Sequence, residues 1–297
     1  MKRWGSVLLV ISLFVAACVS GYYALQSYVT YKIAQKLNRR LERLPYPVSY
    51  GSFSYKLLGN DLVLKDLKVG FAGNYITVDK VVIDLPFDFR KKGVPSFTKV
   101  SVYGLHVPTS LPLVKELALV SGLSSPFLNL NTSAGFSFNG RELTVNGGVV
   151  VKGLAAFTGE VKLDNISRDY AEKLLERRVP YSSALVRVKL KLLDLRYRDY
   201  GFFNRFIGYT ARQEGLSPQE VKAELVKTLR GSFSANPEFA RRLGYALIDF
   251  IANPSCFELV VRPQPPVSLL KLEQFAKKRP QIDRLMKVLN VKGKVCG

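Results

Sequence analysis

The sequence predicts an α+β protein with an N-terminal transmembrane helix, an elongated antiparallel β-rich body and a helical C-terminal segment. Three observations predict it. An uncharged apolar run extends from Trp4 to Leu25. Alternation with period two dominates the next part of the chain, punctuated by Gly and Asn, and after Tyr200 the period becomes helical. The expected division is 1–26 as the anchor, 27–45 as a juxtamembrane helix, 46–200 as an antiparallel β-rich region, and 201–297 as a mainly helical region with short terminal strands.

At about 1.5 Å per residue the run from Trp4 to Leu25 would extend roughly 33 Å, enough to cross a hydrocarbon core. Tyr22 and Tyr23 near its end suit a membrane interface. Two other readings compete. Small residues at Ala16 and Ala17 would suit a cleaved secretory signal. Val15-Ala16-Ala17-Cys18 resembles a bacterial lipobox, which makes Cys18 a candidate for lipidation. The run continues past Cys18 to Leu25 instead of turning polar, and the expectation is an uncleaved anchor. For orientation, Lys2 and Arg3 stand on one side and Lys32, Lys36, Arg39, Arg40 and Arg43 on the other, which read literally favours a cytoplasmic body. A short basic start before an apolar run is the export layout. The expectation is a single-pass inner-membrane protein with a periplasmic body.

From Ser27 to Leu44 the residues Ile33, Leu37, Leu41 and Leu44 recur at helical spacing, ending at Pro45-Tyr46-Pro47; Arg40 interrupts the apolar face. This segment reads either as a helix packing on the body or as a basic collar. In the second reading Lys32, Lys36, Arg39 and Arg43 would contact anionic headgroups.

Candidate strands follow at Val48–Tyr55, Leu62–Val69, Tyr75–Leu85, Thr98–Val107, Ser133–Phe138, Glu142–Val151, Ala155–Leu163 and Ala184–Tyr197, with a short helix at Leu111–Ser121. Asn139-Gly140 between alternating runs is a hairpin signal, because both central residues of such a turn need positive φ. Val186, Val188, Leu190 and Leu192 alternate with Arg187, Lys189 and Lys191, which predicts a sheet with one apolar and one cationic face. Helices are expected at Phe202–Glu214, Ser217–Leu229 and Asn236–Ile251. Ser217-Pro218 with Glu220 forms a capping box. A strand at Cys256–Arg262, helices at Ser268–Lys278 and Pro280–Leu289, and a strand at Val291–Val295 complete the chain.

Forty-four Lys and Arg against 23 Asp and Glu leave a net charge of +21, which suggests an anionic partner or a membrane surface, or else a proteome that is basic throughout. The excess is spread along the chain, and no nucleic-acid partner is expected. One His and three Cys remove the usual kit for metal binding and for Ser/His or Cys/His catalysis. No catalytic, cofactor or metal site is expected, and His106 on a strand reads as structural. Asp61, Asp66, Asp79 and Asp84 are spaced along strands, and Gly59-Asn60-Asp61 and Gly147-Gly148 read as turns. Cys256 and Cys296 are candidates for a disulfide that closes about 40 residues and contributes roughly 4 kcal/mol; alternatively Cys256 is buried and Cys296 dangles.

The order of these features resembles AsmA-like and YdgA-like bacterial envelope proteins. The residues that carry the likeness are Val48-Ser49-Tyr50-Gly51-Ser52-Phe53-Ser54-Tyr55 leading into Leu62-Val63-Leu64-Lys65-Asp66-Leu67-Lys68-Val69. A later stretch adds to it: Leu192-Leu193-Asp194-Leu195-Arg196-Tyr197-Arg198-Asp199-Tyr200-Gly201, then Gly215-Leu216-Ser217-Pro218. The resemblance implies an inner-membrane anchor, a periplasmic β-rich body, no catalysis, and a role in envelope maintenance or lipid handling. The expectation is a membrane-anchored, non-enzymatic envelope protein that binds or shields phospholipid. Its rivals are an envelope enzyme using scattered carboxylates, a basic scaffold for an acidic partner or nucleic acid, and a lipoprotein lipidated at Cys18.

Overall fold

The computed structural model describes residues 2–56, 58–71, 73–86, 93–277 and 282–296; the side chains of 2–18, 21, 113 and 276 lie outside that description. The transmembrane helix expected over 1–26 is overturned: among the described residues no helix is long and apolar enough to cross a membrane. The backbone forms one helix, α1 (Lys2–Leu41), with no break at residue 26. From Tyr22 onward its side chains mix Tyr, Gln, Asn, Lys and Arg with Val, Ile and Leu, too polar a composition for a hydrocarbon core. The Cys18 side chain lies outside the described residues.

Among the described residues twelve strands form one antiparallel sheet. They are β1 (Val48–Ser49), β2 (Ser52–Lys56), β3 (Asp61–Phe71), β4 (Asn74–Asp84), β5 (Phe97–Pro108), β6 (Phe127–Asn139), β7 (Glu142–Val151), β8 (Ala155–Asp164), β9 (Lys189–Asp199), β10 (Cys256–Val261), β11 (Val267–Ser268) and β12 (Val291–Val295). From β3 to β10 each long strand pairs with the next in sequence, and β12 closes the far edge beside β10. The Asn139-Gly140 turn joins β6 to β7, with Gly140 at φ 60°. Strands of the region 201–297 thus extend the sheet built by 46–200, so the sheet crosses that boundary.

The strand expected at Val48–Tyr55 is two short pieces separated at Gly51, whose amide donates to the Lys65 carbonyl. The strand expected at Ala184–Tyr197 begins later. Residues Tyr181–Arg187 form helix α4, started at Pro180, and β9 follows after the extended Val188. Lys191 then has no partner in β8, since Lys162 pairs with Leu192 and Leu163 with Leu190. This bulge puts Lys191 and Leu192 together on one face, where simple alternation would separate them. Helix α3 (Arg168–Leu175) was not anticipated; Ser167 caps it by accepting from the Tyr170 amide.

The helices gather at the two ends of one sheet face. At one end α3 and α4 bring Ile166, Tyr170, Ala184 and Val188 against Phe138, Leu143 and Leu163. Next to them α9 (Leu269–Lys277) and α10 (Ile282–Leu289) bring Leu272, Met286 and Leu289 onto Leu190, Val261 and Val291. At the other end stand α2 (Pro112–Ser121), α5 (Phe202–Glu214), α6 (Pro218–Gly231) and α8 (Tyr245–Ala252). Ile207, Ala211 and Val221 make the dry contact between α5 and α6. The capping box of α6 is complete, with both Ser217 and Glu220 bonded. Residues 278–281, where the helices expected at Ser268–Lys278 and Pro280–Leu289 meet, lie outside the described residues. In place of the single helix expected at Asn236–Ile251 there are α7 (Pro237–Phe239), a π-turn at Ala240–Gly244, and α8. A Cβ on Gly244 would stand 2.5 Å from the Phe233 ring, so the wider turn seats a bare backbone against that ring.

Candidate functional site: an apolar trough on the sheet

Strand register sorts the sheet into two faces. On one face, across β6 to β10, Thr132, Val149, Phe157, Tyr197 and Phe257 form a row of neighbours. The next row on that face is Ala134, Gly147, Gly159, Leu195 and Leu259. The second row starts with small residues, so the bulkier first row stands above it as a wall. The result is an open trough of about 510 Å³ whose lining includes Gly147, Gly159, Val149, Phe157, Leu195 and Leu259. That volume falls in the range of roughly 300–1,000 Å³ that suits a single small ligand. The flanking helices leave the trough open: Phe157 is 52% exposed, Leu195 42% and Val145 39%.

An aromatic cluster builds the wall. Tyr197 lies 4.7 Å from Phe157 and 5.7 Å from Phe250 of α8, and Phe250 touches Phe257 at 5.9 Å and Phe203 of α5 at 5.3 Å. Asp199 fixes this cluster to the sheet. Its carboxylate accepts from the Tyr197 hydroxyl at 2.6 Å and from the amides of Gly201 at 2.8 Å and Phe203 at 2.9 Å, at the start of α5. Two of the otherwise unpaired N-terminal amides of α5 are thereby satisfied. Burial, and then the Asp199 hydrogen bond and charge, push the Tyr197 phenol well above its ordinary value, so it stays neutral in the trough wall.

The opposite face of the same strands is polar. Glu258, 6% exposed, pairs with Arg196 at 3.4 Å and Lys294 at 3.1 Å, its direct neighbours on β9 and β12. Lys162 pairs with Glu160 at 3.2 Å, and Lys191 with Glu142, whose hydrogen bond raises the lysine pKa. Asp61 and Asp84, expected to stand apart, are direct cross-strand partners. Burial, then the hydrogen bond and charge of Asp84, push the Asp61 carboxyl above the ordinary range. Neither carboxyl lines the trough.

His106 is held between Asn129 (Nδ1 to Oδ1, 2.5 Å) and Asp79 (Nε2 to Oδ1, 3.2 Å) and does not line the trough. Among the described residues no group of His, Cys, Asp and Glu could hold a metal ion. Cys256 and Cys296 form a disulfide with Cα atoms 5.2 Å apart, and the Cys296 amide also donates to the Cys256 carbonyl, so the chain end is tied to β10. Lys32, Lys36 and Arg39 lie exposed on α1, with Arg43 in the turn after it. Gly147-Gly148 is strand rather than turn. The residues that build the trough escaped the sequence reading, although Leu195 and Tyr197 alternate with Asp194 and Arg196 in the stretch quoted above.

Residues 148–295 match a protein family described as "Uncharacterized protein". The matched stretch starts in β7, ends in β12, and contains the aromatic wall and most of the trough floor. No curated protein matches the chain.

Proposed function

We propose that this is a non-enzymatic envelope protein whose sheet shelters the acyl chain of a phospholipid. The observation that carries the reading is the open apolar trough, with glycines in its floor and aromatics in its wall. An exposed apolar surface of this kind on an otherwise charged protein marks a ligand or partner site. Covering one aromatic side chain there would contribute roughly 1.5–3 kcal/mol. Among the described residues the lining is mainly glycine, aliphatic and aromatic, which suits an apolar ligand. The Cys256–Cys296 bridge suits an oxidising compartment outside the cytosol.

Native mass spectrometry of the purified full chain tests the proposal. The expected result is a mass increment equal to a phospholipid, lost when the trough is blocked. A ligand-free protein that also fails to take up a fluorescent acyl probe would defeat it.

A further inference from the structure

Helix α1 carries a cationic stripe. At about 100° per residue, Lys32, Lys36 and Arg39 fall within roughly 60° of one another around the axis. The residues that tie α1 to the sheet point the other way. Thr30 Oγ1 accepts from the Tyr55 amide at 3.3 Å, and Asn38 Oδ1 accepts from the Tyr50 hydroxyl at 2.6 Å. Both bonds hold the helix against β2 and its approach from a different side of the helix than the stripe.

Elsewhere the molecule neutralises helix cations locally, as in Lys173 with Asp169 at 2.9 Å and Lys277 with Glu273 at 2.6 Å, each four residues apart. On α1 that same spacing sets Lys32 beside Lys36, two like charges that repel. Among the described residues none of the three stripe cations has a carboxylate partner, and Lys32 lies 5.7 Å over the Tyr28 ring. Tyr28, 61% exposed, and Val29 border the stripe.

We infer that this stripe docks the protein on an anionic bilayer surface. Unpaired cations on one straight line, bordered by an exposed tyrosine, match a plane of phosphate headgroups with an apolar layer beneath. A nucleic-acid duplex would match the charge and leave Tyr28 unused. The inference does not depend on the trough, which is built from other elements.

The test is amine-reactive footprinting of the full chain with phosphatidylcholine vesicles, with or without phosphatidylglycerol. Lys32 and Lys36 should lose reactivity at least fivefold on the anionic vesicles alone, while the exposed Lys227 and Lys292 stay unchanged. The protection should disappear in high salt. A variant carrying Lys32→Glu, Lys36→Glu and Arg39→Glu, checked for native circular dichroism, should bind anionic vesicles roughly a hundredfold more weakly. Equal reactivity on both vesicles, or protection by duplex DNA but not by phosphatidylglycerol, would overturn the inference in the unmodified chain, whatever the variant does.

Discussion

The two faces of the sheet between β6 and β10 come from alternate residues of the same strands, yet they end differently. On the polar face, Glu258 finds both its cations one strand away on either side, and Glu142 and Glu160 each find a lysine. That face is satisfied from within the chain. On the apolar face the helices stop short, and Phe157, Leu195 and Val145 stay exposed between them. A charged group can be neutralised by one partner at the right register, whereas an apolar surface is satisfied only by area, and the chain leaves that area uncovered.

The largest effect that would break this contrast is Gly159→Leu. A Cβ there would come within 2.9 Å of Leu195 Cδ2, a flexible side-chain end, so the fold should survive while the trough fills. Bound lipid should fall at least tenfold by native mass spectrometry. Thr144→Leu puts similar bulk on the polar face, between Ser137 and Lys162 and outside the trough lining, and should leave lipid unchanged; equal losses in the two variants would mean that the faces do not differ in function.

Next is a second bulge, in β5, where the register against β6 shifts between Val102 and Leu105. Gly104 has φ 61°, and a Cβ there would stand 1.9 Å from the Asp79 carboxylate. Gly104→Ala should therefore destabilise the protein by about 1–3 kcal/mol in urea denaturation. Retention of the wild-type midpoint would show that the bulge is dispensable. Glu258→Gln should cost less, about 1–2 kcal/mol, because Arg196 and Lys294 are half exposed and keep water when the carboxylate is gone.

The smallest effects are two pH slopes of opposite sign. Asp61 holds its proton more tightly folded than unfolded, so its contribution makes stability fall as pH rises through the ordinary carboxylate range to the raised value. Asp61→Asn should flatten that fall. Glu238 is held down from 4.5 to about 2 by Arg242 and Arg241. Its contribution is present above 4.5 and lost as pH falls toward about 2. Glu238→Gln should remove that acid-side loss. Thermal melts across pH check both, and identical profiles for the variants and the unmodified chain would show that neither pair matters.

What could be read in advance was local. Asn139-Gly140 and the Ser217/Glu220 box are short-range signals, because the groups that satisfy them lie within three residues. The errors arose where a distant partner decides. Val186 looks like strand by alternation, yet Pro180 starts a helix that ends just past it. Asp61 and Asp84 stand far apart in the chain and meet only because β3 and β4 pair in that register. The apolar run at the amino terminus led to an expected membrane-spanning helix, while among the described residues no helix is long and apolar enough to cross a membrane, and from Tyr22 on α1 mixes polar and apolar side chains, with Thr30 tied to β2.

By itself the sequence determined the alternation that gives each strand an apolar and a polar side, the turns that make neighbours antiparallel, and the excess of cations. Tertiary structure decided which small residues line up across β6, β7 and β8, where the helices stop, and which cations are left without a carboxylate. Periodicity is a property of consecutive residues. Register, coverage and pairing depend on where distant segments come to rest, and one bulge at Lys191 or Gly104 is enough to move a side chain to the other face.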